Sequence, residues 1–212
     1  LNEGFLAGAM LVNRTQDMIT HQVLNEIESN DSQGFGTFGT IMGGYHRYNS
    51  GSHVKSKDFM MAVGLSYQVD ALTLAAFAES SWSDYDTYND FKDKASVHGD
   101  GDTRAYGLGL IAKYEWDNGV YIDGSMSMGK LRNTFETKDL QDAGTGEFAR
   151  YTLKTNYRSA HIGIGYQFSL NELNRLDISG KYLWSHIHGQ DITVANDPIH
   201  FDSMTSKRVR VN

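Results

Sequence analysis

Apolar residues recur at every second position in one stretch of the chain after another, the period of a β-strand whose side chains alternate between two faces. In residues 105–116, Tyr106, Leu108, Leu110, Ala112, Tyr114 and Trp116 fall on one face, and Ala105, Gly107, Gly109, Ile111, Lys113 and Glu115 on the other. Phe59, Met61, Val63, Leu65 and Tyr67 likewise oppose Asp58, Met60, Ala62, Gly64, Ser66 and Gln68. Leu72, Leu74, Ala76 and Ala78 oppose Thr73, Ala75, Phe77 and Glu79. Val120, Ile122, Met126 and Met128 oppose Tyr121, Asp123, Ser125 and Ser127. Ala160, Ile162, Ile164, Tyr166 and Phe168 oppose His161, Gly163, Gly165 and Gln167; Leu176, Ile178, Tyr182 and Trp184 oppose Asp177, Ser179 and Lys181. The pattern predicts about eight strands, near 35–45, 58–69, 71–83, 104–116, 119–131, 151–168, 174–186 and 203–212.

One of these stretches, GLGLIA at residues 107–112, also fits the G-x-G-x-x-A spacing of a dinucleotide-binding turn. That turn needs a strand before its first glycine and a helix after its last. Here a polar HGDGDTRAY precedes, and LIAKYEWDNG runs straight into a turn, so the segment reads as strand.

Alternation suits a soluble sandwich as well as a membrane barrel, and the character of the faces separates them. The apolar faces run nine or more residues and end in Tyr, Trp or Phe, while the opposite faces are small, amide-bearing or charged. A lipid-facing band with aromatic girdles around a polar interior has this composition. The connections point the same way. Val69-Asp70, Asp117–Gly119 and Ser169–Asn174 are short, and the segments near 46–57, 84–103, 132–156 and 186–206 are long and polar, in strict alternation. Outer-membrane meander barrels carry turns on one rim and loops on the other; a soluble antiparallel barrel has no reason for that bias.

The first 33 residues differ, with Phe5, Ala9, Val12, Ile19, Val23 and Ile27 at roughly helical spacing before a stop at NDSQG. The segment is too polar to span lipid. Before a barrel with a hydrophilic lumen it could thread or plug that lumen, and the same pattern fits a helix packed outside.

Composition narrows the classes. The 212 residues hold 22 glycines, 12 tyrosines and a single proline, Pro198, which suits long paired strands because proline deletes a ladder hydrogen bond. Cysteine is absent, so there is no disulfide or thiolate site. A net charge of −7 leaves no electrostatic footprint for nucleic acid, and none is expected as a partner. No apolar run reaches the roughly 18 residues of a transmembrane helix, and any export signal is expected upstream of Leu1.

Candidate chemistry is sparse. His186 and His188 share a strand face but lack a third metal ligand. His98, Asp100 and Asp102 resemble half a calcium loop with no closing Glu. No G-x-S-x-G elbow occurs. Neither metal, cofactor nor catalytic residue is assigned, and no enzymatic activity is expected. The functional positions are instead those that alternation turns inward: Glu79, Lys113, Glu115, Asp123, His161, Gln167, Asp177, Lys181, Arg208 and Arg210. Charge there would keep a pore wet and could hold a helix, or could merely solvate the lumen.

FGTFGTIMGGYHRYNSGSHVKSKDF, then ASVHGDGDTRAYGLGLIAKYEWDNGVYIDGSMSMGK, resemble the β-domain of autotransporters, the type V secretion systems. SAHIGIGYQFSL, GKYLWSHIHGQDITV and DPIHFDSMTSKRVRV continue the resemblance in order. It implies an all-β, antiparallel up-and-down transmembrane β-barrel of twelve strands in the bacterial outer membrane, the C-terminal part of a larger precursor. Such a domain anchors the precursor and helps move an N-terminal passenger to the surface. Its implied partners are outer-membrane lipid, the covalently linked passenger and the barrel-assembly machinery. Some relatives cut their passenger at an Asn-Asn step; that dipeptide is absent, so the activity is not carried over. With about eight strands and no terminal Phe or Trp after SKRVRVN, the chain is expected to divide into a helical linker or pore plug, 1–33, and a barrel truncated at its C-terminus, 34–212. The alternatives are a complete eight-stranded barrel serving as anchor or adhesin, and a soluble β-barrel binding protein.

Overall fold

A computed structural model describes residues 2–29, 33–49, 53–89, 95–141, 144, 146–171, 174–194 and 197–212. Residues 30–32 of the predicted helix stop and 172–173 of the predicted turn lie outside the described residues, while 169–171 belong to the end of one strand and 174 to the start of the next. Helix α1 (Asn2–Met18) continues through a π-helical turn (Ile19–Val23) into α2 (Leu24–Ser29). Among the described residues ten strands follow: β1 (Gly34–Asn49), β2 (His53–Val69), β3 (Leu72–Asn89), β4 (Val97–Glu115), β5 (Val120–Gln141), β6 (Phe148–Asn171), β7 (Asn174–Ile187), β8 (Gln190–Val194), β9 (Asp197–Phe201) and β10 (Met204–Val211). Eight form one antiparallel sheet in the order β1 to β7 and then β10, while β8 and β9 form a separate hairpin. Among the described residues, β1 and β10 each pair on one side only.

The sheet curls around the helix. Helix residues bond Thr40 on β1, Asp58 on β2, Lys113 on β4, Asn133 on β5, Ala160 on β6, Lys181 on β7 and Arg208 on β10. A flat sheet could not present so many strands to one helix about 10–12 Å wide. The concave face is where the chain packs. Phe5, Val12, Tyr85, Leu131, Phe135, Leu153 and Tyr157 form one apolar cluster, and Leu11, Met18, Ile19, Phe38, Met60, Phe77 and Ile111 another. The convex face carries the opposite parity: Leu108 is 67 % exposed, Met128 64 % and Ile162 65 %. A protein in water would reverse this arrangement, and a surrounding of hydrocarbon explains it.

Close approach on the concave face uses missing side chains. Phe38, Phe77 and Tyr121 lie opposite Gly64, Gly109 and Gly165 in register. A Cβ on Gly109 would collide with the Phe77 ring, so each bare glycine is the seat of a ring from the next strand.

The strands outrun their sequence-based limits. β5 has 22 residues and β6 24, where the alternation predicts 119–131 and 151–168. Segments expected as long loops are therefore largely ladder, and the 186–206 connection folds into the β8–β9 hairpin. The reason is that hydrophobic alternation marks only the part of a strand in lipid, about 9–11 residues. Beyond the bilayer the same backbone pairing continues with polar residues on the outer face.

At the opposite rim the turns are tight. Gly119 holds φ +85°, and a Cβ there would collide with the Gln167 carbonyl oxygen. Gly119→Val is expected to cost about 1–2 kcal/mol for the left-handed backbone alone, read as earlier unfolding in urea titrations of the vesicle-inserted protein. Unchanged unfolding would mean the turn adopts another form.

Candidate functional site

The helix presents both apolar and polar side chains to the concave wall, and the polar ones are individually matched. Arg14 and Asp58 form an ion pair with side chains only 13 % and 2 % exposed, and Ser83 Oγ donates a further hydrogen bond to Asp58. Asp17 accepts from Arg208 at 2.7 and 2.9 Å and pairs with Arg210 at 2.9 Å. Arg208 also donates to the Asn13 carbonyl and to Gln16 Oε1. Gln16 Nε2 in turn donates to the backbone carbonyls of Ala160 (2.7 Å) and Trp184 (3.0 Å). Lys181 Nζ donates to the Thr20 carbonyl at 2.7 Å, inside the π-helical turn. Widening to i→i+5 bonding loosens the helical ladder locally, and Lys181 supplies a donor at that point. Nearer the turn rim, Lys113 pairs with Glu28 at 2.9 Å and Glu115 at 3.1 Å, and lies 4.2 Å from the Tyr121 ring centroid.

Behind these contacts lies a second row. Asp123 bonds His161 Nε2 and pairs with Lys181 at 3.4 Å, while His161 Nδ1 meets Ser125 Oγ. Glu79 accepts from Tyr157 at 2.6 Å and from Ser127 at 3.1 Å. Asp177 accepts from Tyr121 at 2.9 Å and from Gln167 at 3.1 Å, and Gln167 reaches Glu28 at 3.4 Å. Charges taken from water are tolerable when each is paired and hydrogen-bonded. Ser125, His161 and Asp123 carry the residue types of a nucleophilic triad; Asp123 is shared with Lys181, which donates to the helix backbone, so the group is linked to the helix through that lysine.

Of the ten residues singled out from alternation, Lys113, Gln167, Lys181, Arg208 and Arg210 touch the helix. Glu79, Glu115, Asp123, His161 and Asp177 touch wall residues instead. Sequence reasoning missed Asp58, Asn133 and Ser185 on the wall, and Arg14, Asn13, Gln16 and Asp17 on the helix. Asn133 Nδ2 donates to the Gly4 carbonyl at 2.8 Å, and Ser185 to Asn13 at 2.7 Å. The available signal was the run Asn13-Arg14-Thr15-Gln16-Asp17, too polar for a helix face that ends up enclosed. His186 and His188 pack edge to face at 4.9 Å, and among the described residues no group of three or more ligands could hold a metal.

The β8–β9 hairpin covers the loop end of the interior. Phe201 packs on Phe5 at 5.4 Å and on Tyr151 at 5.3 Å. On the hairpin's solvent side, His200 Nδ1 meets Asp191 at 2.6 Å, and this hydrogen bond and the carboxylate charge raise the imidazole above its ordinary value. The pair therefore contributes below the normal histidine range and is lost as pH rises through the raised value. Asp191→Asn is expected to lower the His200 midpoint in an NMR titration; an unmoved midpoint would remove the pair from solution.

The autotransporter beta-domain family matches residues 31–212. The fold is similar to the translocator domain of the autotransporter NalP from Neisseria meningitidis, with a TM-score of 0.66 and 14 % identity, covering 93 % of this chain and 68 % of that one. It is also similar to the β-domain of the Bordetella autotransporter BrkA, with a TM-score of 0.60 and 13 % identity over 84 % of this chain and 68 % of that one. No curated protein matches. A greasy convex wall, a charged concave one and an enclosed helix thus meet in a chain that belongs to the autotransporter β-domain family, an outer-membrane translocator and anchor.

Proposed function

We propose that residues 1–33 are the tail of a passenger, held in the lumen of the barrel formed by 34–212 and by any strands that complete it. The observation that carries this reading is the matched set Arg14–Asp58, Asp17–Arg208 and Lys113–Glu28, which runs along the second half of the helix. In this reading the ten inward residues face the pore; some hold the helix and the others support them. The helix start lies at the loop rim and Glu28 at the turn rim, so a passenger preceding Leu1 leaves on the loop side, which faces outward. The barrel acts by binding and display, without catalysis or cofactor. Insertion would use the barrel-assembly machinery, with outer-membrane lipid as the solvent of the convex wall.

The test uses the native protein in its outer membrane. Because this chain has no cysteine, Asp17→Cys with Arg208→Cys introduces a single reporter pair. The helix-in-lumen reading expects oxidative cross-linking in the heat-modifiable band, with the passenger open to external protease. A surface-exposed passenger without the cross-link would place the helix elsewhere. A protected passenger would sink the display role.

A further inference from the structure

We propose that the convex wall of β3 to β6 docks the phosphorylated headgroup and an acyl chain of an outer-leaflet glycolipid of the lipid A type. The proposal rests on the outward orientation of the loop rim given above. Followed from turn rim to loop rim, the apolar outer face ends at a cation on six of the eight sheet strands: Arg47, Lys57, Arg104, Lys130, Arg158 and Lys207. At the turn rim the outer face meets Asp70 and Asp117, and among the described residues no Lys or Arg stands outward there. The outer face is therefore acidic at the turn rim, and toward the loop rim it carries a band of cations, with Asp84, Asp86, Asp100 and Asp102 farther out on β3 and β4; the cationic band fits an anionic leaflet.

One part of that boundary is a compact cluster. Arg104 lies opposite Arg132, and Arg132 opposite Lys154, so three exposed cations stand side by side across β4, β5 and β6. Like charges directly opposite each other destabilise a strand pair. Among the described residues Arg132 and Lys154 have no ion-pair partner, and Arg104 has only Asp102 at 3.6 Å. A group with two or more negative charges would relieve all three. Trp82 lies directly opposite Arg104 at the same level. Below it a shallow apolar groove follows β3, floored by Ala76 and Ala78 between the ridges Val63–Leu65 and Leu108–Leu110. From Ala78 to Trp82 is about 13 Å along the strand, so a chain in the groove and a phosphate on the cluster belong to one amphiphile. A free phosphate would use the cluster and leave the groove empty.

The probe is purified bisphosphorylated lipid A added to the native protein in detergent, read as the temperature at which its heat-modifiable band unfolds. The expected result is a saturable rise. Arg132→Gln with Lys154→Gln should weaken it at least tenfold, while Lys138→Gln, farther out on the same strand, should not. Folding of each variant is checked by its unheated migration. An equal rise with dephosphorylated lipid, with phosphatidylglycerol or with inorganic phosphate would overturn the proposal, as would an unaffected double variant. Protease access to the loops on whole cells is read separately, so an inverted orientation is told apart from absent lipid binding.

Discussion

Replacing Leu110 by arginine is expected to cost about 2–4 kcal/mol of inserted-barrel stability, the penalty for a cation on the lipid face near the bilayer midplane. Leu110 is 56 % exposed on the convex wall and lies inside the outward row of apolar side chains that runs from Tyr106 to Trp116, just past the end of β4. Its neighbours across the ladder are Ala76 and Met126, neither of which can share the charge. Insertion into vesicles followed by urea unfolding measures the loss. Lys113→Leu, three residues further along, belongs to the opposite face and should leave insertion nearly untouched. It would instead strip Glu28 and Glu115 of their shared ammonium and alter single-channel conductance. If the two variants exchanged phenotypes, the assignment of faces would be out by one residue along the strand.

Asp58→Ala should release the helix from the wall, at a cost of about 3–5 kcal/mol in helix docking, because it leaves a mostly enclosed guanidinium without its carboxylate. Arg14 has no other carboxylate pairing it among the described residues, and Ser83 would lose its acceptor as well. Hydrogen exchange of the helix amides in the native protein is the readout. Adding Arg14→Met should restore much of the protection, since the double variant exposes no lone charge. Unchanged exchange in Asp58→Ala would mean that apolar packing alone holds the helix and that the ion pair is incidental.

These two sites differ in how far the linear chain reveals them. The lipid-facing position of Leu110 follows from alternation, a property of adjacent residues that survives whatever the sheet does as a whole. The family was legible for the same reason, since the order of strands and girdles along the chain is a linear feature. The strand ends were not, because outside hydrocarbon the ladder no longer needs an apolar partner and the periodic signal disappears while pairing persists. Asp58 was placed on the inward face but not identified as a site. Nothing local marks it, and its partner Arg14 lies 44 residues away on an element of a different period.

Alternation along the chain decided which face is greasy in the six stretches where it was read, because a bilayer rewards apolar residues at every second position regardless of neighbours. The order of segments was sufficient to decide the family. Whether the N-terminal helix packs inside or outside was open on pattern alone, and only the curl of the sheet places it inside. That curl brings Asp17 to Arg208, Gln16 to β6 and β7, and Thr20 to Lys181. Such pairings depend on strand stagger and sheet curvature around the helix, which are summed over the whole sheet and leave no trace in any short stretch of sequence.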